Sequence, residues 1–293
     1  MIEVTKDAIK EVYKPRPCDV RKYDYGLLVV IGGSDFYSGS PALSAMAAFK
    51  AGVDMVRIIA PKRAADIIAS FSPNMAAYPL EGKTLEKKHL SILVGMVEAG
   101  KAVSRGNIAV VIGGGTGRSK ETQEAIVEFL EQTSVPTVVD NDAIHAISKT
   151  PRIIMDKGFL ITPHAYEFYI LTGRDIQKLS QDDQMEAVRE EAARLHTTIL
   201  LKGNIDIISD GEDIALSRAG TPWMTKGGCG DTLAGICGAL MARGAKPFLA
   251  AQAGAFLNGR AGEIVTEREK EGLLATELIE EIPQVIKKSL EEE

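Results

Sequence analysis

The stretch Met224-Thr225-Lys226-Gly227-Gly228-Cys229-Gly230-Asp231-Thr232-Leu233-Ala234-Gly235 places three glycines in four positions directly before a carboxylate. Glycines so spaced free the backbone for positive φ and let a ligand come close. The apolar run from Leu233 to Met241 that follows reads as a helix. The glycines therefore stand at a helix start, where free amide N–H groups and the positive end of the helix dipole suit an anion. Asp231 is an awkward neighbour for an anion. It belongs there if it takes a proton from an attacking group or holds a metal; the plain alternative is a helix cap.

Five further clusters could carry chemistry. Gly32-Gly33-Ser34 through Tyr37-Ser38-Gly39-Ser40-Pro41 reads as a polar loop, either a substrate contact or an ordinary turn. Gly113-Gly114-Gly115-Thr116-Gly117 holds four glycines in five positions, more than one tight turn needs, which favours close approach of a ligand. Asp140-Asn141-Asp142 reads as an N-cap by Asn141 or Asp142, or as a polar site. His164 with Glu167 fits a first-turn carboxylate, or one that orders a magnesium ion through water. Lys202, before Gly203 and Asn204, could meet a phosphate as a point charge, or be an exposed lysine with no special part. Cys229 fits a small packing residue, since no histidine stands near it in sequence. Neither a GxxxxGK[ST] phosphate loop nor a GxGxxG dinucleotide fingerprint occurs anywhere in the chain.

These clusters must be held by elements that alternate. Strands are expected at Leu27–Ile31, Val53–Ala60, Ile108–Ile112, Thr137–Val139, Phe159–Thr162 and Thr198–Leu201, with a pair at Ile205–Ser209 and Ile214–Ser217. Helices are expected at Pro41–Lys50, Lys62–Ser70, Leu85–Val103, Lys120–Glu131, Gln184–Leu195, Thr232–Ala242, Pro247–Thr266 and Thr276–Ser289. Residues 1–24 read as a short helix and an arm. Alternation of this kind gives an α/β fold, a mostly parallel central sheet with helices on both faces. In such sheets ligands bind beyond the carboxyl ends of the strands, and nearly every glycine-rich or charged cluster follows a strand.

A chain of 293 residues with 45% hydrophobic composition can bury one large core. A net charge of −6 without a basic cluster argues against nucleic acid. Three scattered cysteines make neither a disulfide framework nor a CxxC site, in keeping with a reducing compartment. No apolar signal core or membrane span is expected, so a cytoplasmic chain without membrane partners is the reading.

Taken together the clusters resemble the ribokinase-like superfamily and, within it, the ADP- or ATP-dependent NAD(P)H-hydrate dehydratases. The likeness covers about Tyr25 to Pro283 and rests on ordered motifs. They are Gly32-Gly33-Ser34 with Tyr37, Gly39 and Pro41; Gly113-x-Gly115-x-Gly117; Thr162-Pro163-His164-x-x-Glu167-Phe168; and Leu201-Lys202-Gly203. Gly220-x-Pro222-x-Met224-Thr225, Gly228-x-Gly230-Asp231-x-Leu233-Ala234-Gly235 and Gly272-Leu273-Leu274-Ala275-Thr276-Glu277-Leu278 complete the set.

The resemblance implies Asp231 as catalytic base and substrate contact. It implies a nucleotide site from Lys202, Gly203, Asn204, Ile205 and Asp206 with Thr225, Lys226, Gly227, Gly228, Cys229 and Gly230. Ser40, Gly115, Gly117, His164 and Glu167 would face the substrate, hydrated NADH or NADPH. ADP or ATP would be the co-substrate, with Mg²⁺ ordered by Glu167 through water. The sequence departs from the family pattern at Cys229 (Thr is usual), Lys226 (a small residue is common), His164 (Asn) and Asn258-Gly259 (His-Gly), and it lacks the Thr often found after Lys202-Gly203. A single domain over 1–293 with no fused epimerase domain is expected, in a homo-oligomer. Two rival readings stand beside this one: a kinase for a vitamin-precursor alcohol, and a nucleotide-binding regulator without turnover.

Overall fold

Three five- to four-residue apolar runs, Leu27–Ile31, Ile108–Ile112 and Thr198–Leu201, are buried along their whole length, as strands covered on both faces must be. They belong to one sheet in a computed structural model that describes residues 1–291. Its strands are β1 (Ile2–Glu3), β2 (Leu27–Ile31), β3 (Met55–Pro61), β4 (Ala76–Leu80), β5 (Ile108–Ile112), β6 (Thr137–Val139), β7 (Leu160–Ile161), β8 (Thr198–Leu201), β9 (Asp206–Ser209) and β10 (Ile214–Ser217). They lie in the order β1-β10-β9-β8-β7-β6-β5-β2-β3-β4. From β4 through β8 every pairing is parallel; β8, β9 and β10 run as an antiparallel meander, and β1 joins β10 in parallel.

The helices are α1 (Asp7–Val12), α2 (Gly39–Lys50), α3 (Lys62–Phe71), α4 (Leu90–Val103), α5 (Lys120–Gln132), α6 (Asp142–Ile147), α7 (Ala165–Thr172), α8 (Gln181–Leu195), α9 (Cys229–Ala242), α10 (Pro247–Glu269) and α11 (Ala275–Glu291). Side chains alternate across the strands, so two cores form. Leu28 and Val30 of β2 face one core with residues of α1, α2, α3, α9, α10 and α11. Leu27, Val29 and Ile31 face the other, with residues of α4 to α8. The expected α/β class, mostly parallel with helices on both faces, is the observed one.

Helix α9 is apolar all round and buried at every position but Gly230, which suits a central helix and not an amphipathic surface one. Its glycines set how near it can come to its neighbours. A Cβ on Gly235 would lie 2.1 Å from the Ser44 carbonyl oxygen of α2, and one on Gly238 would lie 2.5 Å from Val111 of β5.

Three expectations need correction. The helix expected over Leu85–Val103 is broken. Leu85 turns into the core, a 3₁₀ turn covers Lys87–His89 behind a Glu86–His89 capping box, and only then does α4 begin. Strand β4 was not anticipated, because this edge strand is mostly solvent-facing and carries Pro79, so it lacks an apolar run. Strand β1 was missed too: its two exposed residues, Ile2 and Glu3, are strand only through pairing with β10.

Candidate active site

The carboxyl ends of β2, β5, β6, β7 and β8 bring their exit loops to one end of the sheet, where α9 begins. Asp231 stands in the first turn of α9, after Gly228, whose φ of 103° is open to glycine and strained for other residues. Its carboxylate is 7% exposed and held from two sides. The Ser40 hydroxyl of α2 donates to Oδ2 at 3.1 Å, and the Asn141 side-chain amide donates to Oδ1 at 3.2 Å. The Ser44 hydroxyl donates to the Asp231 backbone oxygen at 2.9 Å, so α2 fixes both chain and side chain. Gly114 leaves the room: a Cβ there would meet Asp231 Oδ1 at 3.0 Å. Burial, and then the charge of Asp140, push the Asp231 carboxyl up to about 7, against the pull of the Ser40 hydroxyl and the Lys202 ammonium. A carboxyl poised there can take a proton near neutral pH.

Beneath Asp231 lies a buried ionic network. Lys202 Nζ bonds Asp140 Oδ1 at 2.8 Å and lies 3.8 Å from Glu167 Oε2; Asp140 and Glu167 are 2% and 1% exposed. The Thr162 hydroxyl donates to Asp140 Oδ1 at 2.8 Å. Burial opposes the ammonium form of Lys202, but the charges of Asp140, Glu167 and Asp231 outweigh it and hold the lysine above its ordinary range. An exposed lysine with no special part is therefore excluded. The Nζ lies only 3.6 Å from where a Cβ on Gly230 would be, so the lysine sits under the glycine turn as its internal cation.

Glu167 and His164 form a capping box at the start of α7. The His164 ring nitrogen Nδ1 accepts from the Tyr166 and Glu167 amides at 3.2 Å each, and Glu167 Oε2 accepts from the His164 amide at 2.9 Å. Asparagine, the family's usual occupant, would cap the same way. With one oxygen between His164 N and Lys202, and the other 3.5 Å from His164 Nε2, the buried Glu167 serves the helix cap and the lysine. Among the described residues no three His, Cys, Asp or Glu side chains are placed to hold a metal.

A cleft of about 410 Å³ opens over Asp231, lined by Ser40, Gly115, Gly117, Gly227 and Gly228 together with Asn141, Asp142, Phe36 and Tyr37. Gly115, at φ 69°, makes way for the Tyr37 ring, which a Cβ there would meet at 3.0 Å. The Gly117 amide donates to Asp142 Oδ2 at 2.9 Å, tying the two loops. Thr225, Lys226 and Gly227 are exposed ahead of α9, with Lys226 Nζ donating to the Glu271 carbonyl oxygen. Gly203 and Asn204 are exposed at the β8–β9 turn. Asp206 accepts from the Gly203 amide at 3.0 Å, and burial pushes its carboxyl up to about 7. Ile205 is half-buried against the core of α4 to α8.

Cys229 is buried, its thiol pushed up by that burial, and it packs in the α9 core as expected. Asn258 of α10, in place of the family's histidine, accepts from the Thr232 hydroxyl at 2.6 Å and donates to the Cys229 carbonyl oxygen at 3.2 Å, pinning the turn that carries Asp231. The helix-cap reading of Asn141 is overturned. Asn141 occupies the N-cap position of α6, but its side chain makes no cap bond and turns to Asp140 and Asp231. Asp142 likewise goes to Gly117 and, at 2.7 Å, to Arg118. A carboxylate–amide–carboxylate run at a strand end looks like a capping signal, and only the position of α9 shows otherwise.

The chain matches the protein family described as NAD(P)H-hydrate dehydratase over residues 28–284. It is 41% identical over 276 residues to a bifunctional NAD(P)H-hydrate repair enzyme of Pyrobaculum aerophilum, covering 93% of this chain and 53% of that protein. The chain thus spans about half the length of the curated relatives it matches first. It is 33% identical over 234 residues to an ADP-dependent (S)-NAD(P)H-hydrate dehydratase of Nitrosopumilus maritimus, covering 80% of this chain and 78% of that one. Among solved structures, the ADP/ATP-dependent NAD(P)H-hydrate dehydratase of Bacillus subtilis, co-crystallised with ATP and Mg²⁺, superposes with a TM-score of 0.81 at 24% identity, covering 98% of each chain. The fold is ribokinase-like. The matched span takes in every loop that builds the cleft, and the chain belongs to the NAD(P)H-hydrate dehydratase family.

Proposed function

We propose that this chain restores NADH or NADPH from the hydrated form by nucleotide-dependent dehydration, with ADP or ATP as phosphoryl donor. The observation that carries the reading is the Asp231 carboxyl. It is buried, raised to about 7, and open to the cleft beside the amide-rich turn of Gly227 and Gly228. The added water gives the nicotinamide ring a hydroxyl, which is a poor leaving group. Asp231 takes the hydroxyl proton as that oxygen attacks the terminal phosphorus of the nucleotide. The bond from that phosphorus to the bridging oxygen breaks, leaving AMP from ADP. The amides of Gly228 to Gly230 stabilise charge on the phosphoryl in flight. The phosphorylated oxygen then leaves as phosphate while the ring loses a proton, and the double bond returns.

In this reading Ser40, Gly115 and Gly117 face the substrate within the cleft, and Lys202 with the 203–206 turn, outside the cleft lining, serves the nucleotide. Lys202 acts from below, neutralising Asp140 and Glu167 so that an anionic nucleotide can approach. Magnesium enters with the nucleotide as part of the co-substrate, held by its phosphates and water. Glu167, held by the His164 amide and beside Lys202, is the carboxylate that would order the magnesium through water. Recovery of reduced-nicotinamide absorbance from the hydrate, with phosphate released in equal amount only when magnesium and ADP or ATP are present, is the expected result. Unchanged hydrate alongside phosphorylation of a vitamin-precursor alcohol would transfer the chain to the kinase reading. Nucleotide binding without turnover of any acceptor would make it a regulator.

A further inference from the structure

Asn141 combines two features that its place in the chain does not call for. Its backbone lies at φ 49° and ψ −123°, a region open to glycine but disfavoured for any residue with a Cβ. Its side chain forgoes the helix cap and spends both amide hydrogens on carboxylates: Nδ2 donates to Asp140 Oδ2 at 2.9 Å and to Asp231 Oδ1 at 3.2 Å. The opposite amide orientation would set a carbonyl oxygen against two carboxylates, so the assignment of nitrogen is fixed by its neighbours. Conformational preference favours glycine here and capping favours an unstrained asparagine; neither explains the residue present. Function does.

We propose that Asn141 is a positioning residue for the reaction, its amide bridging Asp140 and Asp231 so that the Asp231 carboxylate is held facing the cleft. With Ser40 on Oδ2 and Asn141 on Oδ1, the carboxylate has one donor on each oxygen and a single favoured orientation. The bridge also separates two carboxylates that would otherwise repel, Asp140 being held on its other oxygen by Lys202 and Thr162. The charged groups acting on Asp231 are Asp140 and Asp142 from the β6–α6 turn and Lys202 from the end of β8. The remaining neighbours are uncharged: Ser40 and Ser44 from α2, Gly114 from the β5 loop, and Asn258 of α10 behind Thr232. An N–H donated to a carboxylate favours its ionised form, so losing the bridge makes Asp231 harder to ionise.

The inference rests on the dehydratase reading, and two variants with two readouts separate them. Asn141→Gly relieves the backbone and removes the bridge; Asn141→Asp keeps the side-chain shape and, once ionised, donates nothing and adds a negative charge between two carboxylates. The expected result is turnover lowered by about 10–100-fold in both, from a base no longer oriented. The acid limb of the rate profile should rise by about one pH unit in Asn141→Gly, one hydrogen bond to a charged group, and further in Asn141→Asp. The carboxyl carbon-13 resonance of Asp231, assigned by its loss in Asp231→Asn, should titrate with a midpoint displaced upward in the same order. That readout needs no turnover, so it tests the bridge even if the hydrate proves not to be the substrate. An unmoved Asp231 midpoint in both variants would overturn the inference. So would loss of activity that tracks loss of folded protein with the acid limb in place.

Discussion

At the scale of the residue, the site is a set of buried charges that only make sense together. Asp231 at about 7 is an acid whose folded value lies far above the 3.8 of an unperturbed aspartate. The folded chain therefore keeps a proton that the unfolded chain loses, and stability falls as pH rises from about 3.8 to about 7. Asp231→Asn should remove its share of that fall, leaving the share of Asp206, whose carboxyl is also raised to about 7. Above pH 7 the variant's melting temperature should equal or exceed the parent's, read by thermal unfolding across pH; a lower value at every pH would refute the burial account. Lys202 behaves oppositely. Removing it strands Asp140 and Glu167 without their cation, so Lys202→Met should cost about 3 kcal/mol of stability in denaturant titration. Adding Asp140→Asn should recover part of that loss, where independent sites would simply add. The glycine turn and Asp231 at its end were legible in the sequence because their residue types are unusual in that order. The bridge through Asn141 and the counter-ion role of Lys202 were not, since each depends on a partner 90 or 62 residues away.

At the scale of the element, the two helices that carry Ser40 and Asp231 are set by a glycine. α2 and α9 touch so closely at Gly235 that any side chain there must push against the Ser44 backbone. Gly235→Ala should therefore lower stability by about 1–3 kcal/mol, as overpacking does. It should lower turnover by more than the stability loss explains, because the Ser40–Asp231 and Ser44–Asp231 contacts would part. Unaltered turnover in folded Gly235→Ala would show that this crossing does not position the base. Strands β2, β5, β6, β8 and β10 could be read to the residue from their β-branched runs. The failures, β1, β4 and the broken helix before α4, are elements whose residues take their conformation from a neighbour or a cap and not from their own periodicity.

At the scale of the whole molecule, the parallel sheet sends five loops to one end, and the amide-rich start of α9 closes the group. No described helix is long and apolar enough to cross a membrane. On the proposed reading, this assembly uses Asp231 as the base that lets a substrate hydroxyl attack a nucleotide phosphorus. The most direct measurement is the rate at which parent and Asp231→Asn return reduced-nicotinamide absorbance from the NADH hydrate, with saturating ADP or ATP and magnesium at pH 8. Loss of a general base predicts a fall of roughly 10²–10⁴-fold, while nucleotide affinity holds level or improves because a negative charge beside the phosphates is gone. A variant that restores NADH at the parent's rate would show that Asp231 is not the base.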